Sequence, residues 1–473
     1  MYLIVDLDNS LLRIDLFKDS LGKCFLKKPR IFFTSVFLAL SNRAKAKTII
    51  ARNTSIELNT LPYDDKVINI ITDYKEKGYQ IILATGAAHN YAQPIANHLG
   101  LFDKVMATNE TINNTSINKL NAIKSEIYGD YIYVGDSRKD IPIWLDCKKA
   151  ILVGFKASII KILKKNNVEI IDIVKKEKSS LIILLKQLRV YQWAKNMLLF
   201  VPALASHQLM ISSVFINALT GFIAFSLLAS SIYVLNDIVD VDHDRKHPVK
   251  KNRPIANGDL TMFSAYAVLI VCFMLGIWLS MGLGDAFLFT AIIYLILNLL
   301  YSFFLKRVVI LDIILLATFY TLRLIIGHTP DSIPLSPWLL SFSIFLFFSL
   351  GLLKRYIDTV ILSENNIGSL SGRNYSLNDG NILMSLGIGS GLVSALVLIL
   401  YTGSDQVQKF YATPLLLIAL APVMLYWISR IWFMASRGLI KSDPVLFTLK
   451  DIHSYIVGFC FLLLISVSKY LIL

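Results

Sequence analysis

The sequence predicts a chain of two parts, an N-terminal α/β domain followed by an all-α polytopic membrane domain with about nine transmembrane helices. Three observations carry this reading. Of 473 residues, 55% are hydrophobic and only 17% charged, too apolar a balance for a soluble globular protein of this length. Windows free of Asp, Glu, Lys and Arg run over 196–236, 260–284, 286–305, 332–353, 380–404, 410–429 and 452–468. Residues 1 to about 155, by contrast, alternate short apolar runs with amphipathic stretches.

Five strand-like runs, YLIVDLD, GYQIILATG, DKVMATN, DYIYVGD and KAILVG, punctuate the domain of residues 1–155. Their alternation with helical stretches predicts a mostly parallel sheet, which binds ligands at the carboxyl ends of its strands. Residues 11–62 interrupt the alternation with a helical, basic insert, including LGKCFLKKPRIFFTSVFLALSNRAKAK. A long insert beside a site reads as a cap over the strand ends, although a helix lying on the membrane or packed on the sheet has the same composition. Residues 156–180 read as a basic linker. Its run KILKKNNVEIIDIVKKEKS either lies against an anionic leaflet or forms an ordinary solvated helix. No internal repeat or low-complexity tract interrupts the chain.

The membrane domain occupies 181–473. About 20 apolar residues cross a bilayer, so the window 196–236 holds two helices folded about Ser206, His207 and Gln208. A further apolar stretch, 308–327, is interrupted by Asp312 and Arg323. Loops near 206, 283, 332 and 405 contain only Lys409, whereas the intervening loops hold Arg245, Lys246, Lys250, Lys251, Arg253, Lys306, Arg307, Lys354, Arg355, Arg373, Arg437 and Lys441. Because Lys and Arg accumulate on the cytoplasmic side, the chain is expected in the inner (cell) membrane with its N-terminal domain and active sites cytoplasmic and its C-terminus outside.

The net charge of +14 raises nucleic acid as a partner. The basic residues sit at span ends and in the linker rather than in an aromatic-interleaved patch, so anionic headgroups and phosphate substrates account for the excess and no nucleic acid is expected. Four scattered cysteines, Cys24, Cys147, Cys272 and Cys460, have neither metal spacing nor a disulfide framework and read as reduced thiols. MYLIVDLDNSLL is too short and too acidic for a cleavable signal peptide.

Chemistry gathers at two places. In the first domain VDLDNS ends a strand with Asp6 and Asp8, ATG offers the Thr85 hydroxyl, Lys119 follows, and VGDSRKD ends another strand with Asp136 and Asp140. Phosphoryl transfer needs a carboxylate nucleophile, a second acid for the leaving oxygen, a cation for the phosphoryl group and further carboxylates for Mg2+. All appear in order, and over nearly its whole length this domain resembles the haloacid dehalogenase superfamily of phosphatases, whose fold is Rossmann-like. The resemblance implies Asp6 as nucleophile, Asp8 as general acid and base, and Ser10, Thr85 and Lys119 on the phosphate. It implies Mg2+ held by Asp6, Asp8, Asp136 and Asp140. That family more often has Gly-Thr after its second aspartate, where this chain has Asn9 and Ser10; Ser10 keeps the hydroxyl. A degenerate regulatory domain is the competing reading.

In the second domain NDIVDVDHDRKHPVKKNRPIANG, residues 236–258, follows an uncharged apolar run. If the helix continues past Asn236, Asp237, Asp240 and Asp244 fall at i, i+3 and i+7 on one face. Carboxylates so placed at a low-dielectric boundary repel one another unless a cation joins them, which suggests Mg2+ carrying a diphosphate. Arg245, His247, Lys250 and Arg253 would grip the outer phosphate oxygens or close the loop. A charged helix end balanced by basic neighbours is the bland alternative.

This stretch resembles the first motif of the UbiA superfamily of intramembrane prenyltransferases, and the likeness covers roughly 181–473. Members using prenyl diphosphate donors generally carry a second Asp-rich motif. Here YSFFLKRVVILDIILLATFYTLRLIIG offers only Asp312. Cations stand instead: Lys195, Lys306, Lys354 and Arg355, which suit an acceptor that is itself a lipid phosphate, or else merely snorkel to the interface. RVYQWAKN, YSFFLK, LDIILLA, LRLIIG and LLKRY together look like the decaprenyl-phosphate phosphoribosyltransferase branch, and SGRNYS and RGLIKSDPVLF extend the likeness. Arg323 reads as structural.

The resemblance implies that Asp237, Asp240 and Asp244 hold Mg2+ and the diphosphate of phosphoribosyl diphosphate. Asn236, Asp312, Arg245, Arg253, Lys195, Lys354 and Arg355 would bind substrate, and Tyr301 and Lys306 would orient the phosphates. The joined halves are then expected to transfer 5-phosphoribose to a polyprenyl phosphate and remove the 5-phosphate, giving polyprenyl-phosphoryl ribose, a precursor for envelope pentose glycans. A prenyl-diphosphate transferase with an unrelated phosphatase, or a membrane-anchored protein with an inert phosphatase-like domain, are the alternatives.

Overall fold

The computed structural model describes residues 1–154, 156–175, 179–364, 374–440 and 443–470. Arg373 and Lys441, counted among the loop cations, lie outside the described residues. The chain divides into two compact units, Met1–Val190 with Tyr233–Val271, and Tyr191–Ile232 with Cys272–Leu473.

The first unit begins with β1 (Tyr2–Val5), the insert helices α1 (Leu16–Lys27), α2 (Pro29–Ser41) and α3 (Arg43–Asn53), and α4 (Asp65–Glu76). It continues through β2 (Gln80–Ala88), α5 (His89–Leu99), β3 (Lys104–Thr108), α6 (Ile117–Glu126) and β4 (Tyr131–Gly135). Then come α7 (Ile141–Asp146), β5 (Lys149–Val153), α8 (Ala157–Lys165), β6 (Glu169–Val174) and α9 (Ser180–Gln187). The strands form one parallel sheet in the order β3-β2-β1-β4-β5-β6, with β1 between β2 and β4. Its two faces are covered by separate apolar cores, one around Leu3, Val5, Leu83 and Ile95, the other around Ile4, Tyr133, Trp144 and Leu163. Strands buried on both faces read as continuous apolar runs, which is why their sequence signal is strong.

The stretch expected as a linker folds into α8 and β6 over Ala157–Lys165 and Glu169–Val174. Ile159 and Leu163, one turn apart on α8, bury against the second core, and β6 pairs with β5 at the sheet edge. Its flanking lysines hid a strand whose residues are mostly half-buried or exposed. In the insert, Asp15 caps α1 by accepting from the Lys18 amide at 3.0 Å and Asn42 caps α3 by accepting from that of Lys45 at 3.0 Å. Pro29 opens α2 at the position where a missing N–H does no harm.

The helical part comprises α10 (Val201–Ala205), α11 (Ser212–Val239), α12 (Val241–Lys246), α13 (Met262–Gly282), α14 (Asp285–Phe303) and α15 (Leu311–His328). It ends with α16 (Pro337–Glu364), α17 (Gly380–Thr402), α18 (Asp405–Phe410), α19 (Leu420–Ser436), α20 (Pro444–Thr448) and α21 (Ile452–Tyr470). Among the described residues eight helices are long and apolar enough to cross a membrane: α11, α13 to α17, α19 with the turn before it, and α21. The remaining expected span, near 196, is a 3-10 segment, Val190–Phe200, running into the five-residue α10. The chain is an integral membrane protein.

The second unit packs α15, α16, α17 and α19 around Ile313, Leu352, Leu383, Ile428 and Trp432. Gly387 on α17 lies so close to the Trp432 indole that a Cβ there would collide with it, the close approach that small residues permit between membrane helices. Arg323 is buried and donates to Asn196 Oδ1 at 2.8 Å and to the Phe319 carbonyl at 2.6 Å. That is the structural role its sequence position suggested.

Candidate functional site

Strand register assembles the first site. Val5 of β1 pairs with Leu83 of β2 and Val134 of β4, so Asp6, Thr85 and Asp136 fall at one end of three adjacent strands. Asp6, Asp136 and Asp140 bring carboxylate oxygens within 4.8 Å of one another. Among the described residues no other group of acids, histidines or cysteines does so. Oxygen donors at this spacing fit a shared divalent ion. The Asp8 side chain is outside the trio, which alters its expected place as a metal ligand: its Oδ1 accepts from the Leu16 amide at 2.9 Å.

Lys119 already balances part of this charge. Its Nζ stands 3.1 Å from Asp6 Oδ1 and 3.3 Å from Asp140 Oδ1, and it donates to the Tyr133 hydroxyl at 2.9 Å. Asp140 is fixed further, because its Oδ2 accepts from Ser137 N at 3.0 Å and Ser137 Oγ at 2.8 Å. Burial would lower the Lys119 pKa, but Asp6 and Asp140 outweigh it and raise it. Burial pushes the Asp6 carboxyl up to about 7, with Lys119 opposing and Asp140 and Asp136 adding. Burial, with Asp15 nearby, holds Asp8 well above the usual carboxylate range.

The turn after Asp6 is tight. Asn9 adopts the left-handed region with φ 55, which Gly and Asn tolerate best, so Asn can replace the glycine of the family resembled. Ser10 Oγ is buried with no hydrogen-bond partner among the described residues, and Thr85 Oγ1, also buried, accepts from Ala87 N at 3.0 Å. Sequence reasoning missed Lys47 on α3, whose Nζ donates to Gly86 O at 2.5 Å and Asn113 Oδ1 at 2.9 Å. Burial lowers its pKa against the pull of Asp8. Its only sequence signal is its membership of the basic insert.

The acidic stretch is built differently from the single continuous helix expected. Helix α11 ends at Val239, Asp240 sits at the junction, and α12 carries Asp244. Asp240 N still donates to Asn236 O at 2.9 Å and Asp244 N to Asp240 O at 2.8 Å, so the helical path bends without breaking. The three carboxylates do not converge as the first trio does. Arg253 Nη1 instead bridges Asp237 Oδ1 at 3.0 Å and Asp244 Oδ2 at 2.6 Å. Arg189 and Gln187, which sequence reasoning did not single out, also donate to Asp237. Burial raises the Asp244 pKa, with Arg253 opposing and Asp237 adding, so the pair favours a cation between them. A divalent ion held here would need Arg253 to give way and the three carboxylates to draw together. Asp240 makes no side-chain hydrogen bond or ion pair among the described residues.

Arg245 differs from the phosphate-gripping role expected of it. It is buried, donates to both oxygens of Asp19 on α1 at 3.1 and 2.9 Å, and donates to Ala256 O at 3.2 Å. Lys23 joins the network, 2.9 Å from Asp19 and 2.7 Å from Asp242. His247 Nδ1 accepts from the Val249 amide at 3.2 Å and shapes the basic turn, on which Lys250 is exposed.

In the second unit, Lys195 and Lys354 both reach Asp443 Oδ2, at 2.9 and 3.2 Å. Burial would raise the Asp443 carboxyl, but Lys354 and Lys195 outweigh it and hold it at about 2. Asp443, seen in the sequence only within RGLIKSDPVLF, also caps α20 by accepting from Val445 N at 3.1 Å. Asp312 and Arg355, expected on substrate, are fully buried against each other: Arg355 Nε donates to Asp312 Oδ2 at 2.7 Å, and Tyr375 donates to Asp312 Oδ1 at 2.5 Å. Tyr301 OH accepts from Arg355 at 3.4 Å, and Lys306 is half-buried on the turn after α14.

Comparison with known proteins gives consistent findings. Residues 197–447 match the UbiA prenyltransferase family and residues 7–144 match haloacid dehalogenase-like hydrolases. The chain is 31% identical over 457 residues to the protein y4nM of Sinorhizobium fredii, across 96% of this chain and 89% of that one. It is 34% identical over 194 residues to decaprenyl-phosphate phosphoribosyltransferase of Mycobacterium tuberculosis, across 40% of this chain and 64% of that one. Among solved structures it is similar to a UbiA homolog from Archaeoglobus fulgidus bound to GPP and Mg2+, with TM-score 0.45 and 14% identity over 60% of this chain and 99% of that one.

Proposed function

This chain belongs to the UbiA prenyltransferase family and carries a haloacid dehalogenase-like hydrolase domain ahead of it, and from that premise we propose a bifunctional membrane enzyme. Its membrane half transfers 5-phosphoribose from phosphoribosyl diphosphate to a polyprenyl phosphate. Its N-terminal half removes the 5-phosphate to leave polyprenyl-phosphoryl ribose. The observation that carries the choice of donor is the fate of Asp312. The one acid of the 301–327 stretch, which in a prenyl-diphosphate enzyme would help build a second metal site, is buried and spent on Arg355 and Tyr375. Lys195 and Lys354 meanwhile share a single carboxylate, an arrangement suited to exchange for a lipid phosphate. Both active sites face the cytoplasm of the inner membrane in this reading, where the water-soluble donor is found.

In the transfer step an oxygen of the lipid phosphate bonds to the anomeric carbon as the bond from that carbon to diphosphate breaks. Asp237, Asp240 and Asp244 would hold the metal, and Arg253, if released from Asp237 and Asp244, would follow the diphosphate oxygens. In the hydrolytic step an Asp6 oxygen bonds to phosphorus, the bond to the sugar oxygen breaks, and Asp8 gives that oxygen its proton. Water then attacks the aspartyl phosphate with Asp8 accepting a proton, and inorganic phosphate leaves. Lys119, Ser10 and Thr85 would hold the phosphoryl oxygens, and Asp6, Asp136 and Asp140 would hold the metal. When bound, Mg2+ supplies neutralising charge to phosphate oxygens at both sites.

The test is incubation of purified protein with polyprenyl phosphate, labelled phosphoribosyl diphosphate and Mg2+. Labelled lipid should form, Asp240→Asn should abolish it, and Asp6→Asn should accumulate the phosphorylated lipid. No labelled lipid from the wild type would end the reading; an unchanged product from Asp6→Asn would end its second step.

A further inference from the structure

The insert carries a surface that neither reaction uses. One side of α2 packs inward, with Ile31, Phe32 and Val36 against Leu21, Cys24 and Ile50. The other side exposes Phe33 at 54%, Phe37 at 70% and Leu40 at 84%. Spacings of four and three place these side chains in one stripe along the helix. A contiguous apolar stripe on a water-facing domain calls for something to cover it.

Two observations identify the cover. The helix before α2 rests on the end of a membrane span. Tyr266 OH, in the second turn of α13, donates to Gly22 O at 3.0 Å, and the Phe25 and Tyr266 rings meet at 5.2 Å. Gly22 approaches Met262, the first residue of α13, so closely that any side chain at 22 would overlap it. Helix α13 is long and apolar enough to cross a membrane, and Lys28 alone separates the end of α1 from the start of α2, so α2 starts beside the level where that span leaves the bilayer. The charge is also one-sided: residues 20–56 contain no Asp or Glu, but do contain Lys23, Lys27, Lys28, Arg30, Arg43, Lys45, Lys47 and Arg52.

We propose that α2 is an interfacial membrane helix, with Phe33, Phe37 and Leu40 among the acyl chains of an anionic leaflet and the flanking lysines and arginines among its headgroups. An apolar face bordered by cations is the pattern that binds in the plane of such an interface. Since α3 of the same insert delivers Lys47 to the phosphatase site, the insert seats that site at the bilayer surface. The lipid contact itself is independent of which phosphate ester is hydrolysed.

The test places a nitroxide on Phe37→Cys, and separately on Phe33→Cys, in the full-length protein with Cys460→Ser, reconstituted in bilayers containing phosphatidylglycerol. The ratio of oxygen to water-soluble nickel-chelate accessibility should exceed that of a label at the exposed Tyr128 by roughly tenfold, as expected for side chains lying below the headgroups. A ratio equal to that at Tyr128 would overturn the proposal by showing water over the stripe. Exclusion of both reagents would overturn it too, by showing a second copy or another protein there.

Discussion

Asp19→Asn isolates the ion pair by which α1 of the insert holds the acidic stretch. The Arg245 and Asp19 side chains are only 3% and 8% exposed, so removing the carboxylate strands a buried guanidinium, which costs about 3–5 kcal/mol. One residue on, Lys246 pairs with Glu57 at 2.6 Å with both side chains about half exposed, a contact worth about 0–1 kcal/mol. Since about 1.4 kcal/mol is tenfold in an equilibrium, Asp19→Asn should speed hydrogen exchange at the Asp244 amide, which donates to Asp240 O, by on the order of 100-fold or more. Glu57→Gln should change it less than about fivefold. Exchange read by mass spectrometry over α12 in the solubilised full chain gives both numbers. Burial raises the Asp19 carboxyl, but Arg245 and Lys23 outweigh it and hold it below its ordinary 3.8. The stabilisation is therefore complete above about pH 4 and is lost as pH falls below that value. Equal effects of the two substitutions, or no effect of Asp19→Asn, would refute the assignment of a buried tether.

Asp8→Asn should release a stoichiometric burst from 4-nitrophenyl phosphate and then turn over about 10²–10⁴-fold more slowly, because a good leaving group needs no proton but the aspartyl phosphate still needs a base; steady turnover at the wild-type rate would remove Asp8 from the chemistry. With trace divalent metal, phosphomonoesterase activity should rise with pH through about 7 as Asp6 ionises, and saturating Mg2+ should move that inflection downward. An inflection indifferent to Mg2+ would show that the trio of carboxylates does not hold the ion. Asp443→Asn keeps an oxygen to cap α20 but removes the negative charge that Lys195 and Lys354 share, so the KM for polyprenyl phosphate should fall several-fold with kcat little changed. A carboxyl held at about 2 against 3.8 bounds the gain at about 2 kcal/mol, and a raised KM would place the lipid phosphate elsewhere.

Much of the first site was legible because a parallel sheet aligns its strand ends: once Asp6, Thr85 and Asp136 each close an apolar run, register brings them together. Lys47 was not, since it arrives from an insert whose path no local pattern specifies. The order of acids around 237–244 was equally plain, but helical spacing says only which residues share a face and not what covers it. That is why Arg245 read as a free phosphate ligand while Asp19, more than two hundred positions away, claims it. Arg189 stood in a motif noted for other reasons, and its pairing with Asp237 depends on how the chain enters the membrane. Strand β6 escaped notice because an edge strand among lysines lacks the apolar run that marked the other five.

Arg253 has a consequence for how the acidic stretch fills. A guanidinium tethered within reach of Asp237 and Asp244 is an intramolecular competitor at high effective concentration, so a bare cation in solution gains little by displacing it. A cation that arrives with phosphate oxygens offers the displaced guanidinium a new anion. In the proposed transfer, loading would then be ordered by chemistry, with metal and sugar diphosphate entering together and neither one alone displacing Arg253.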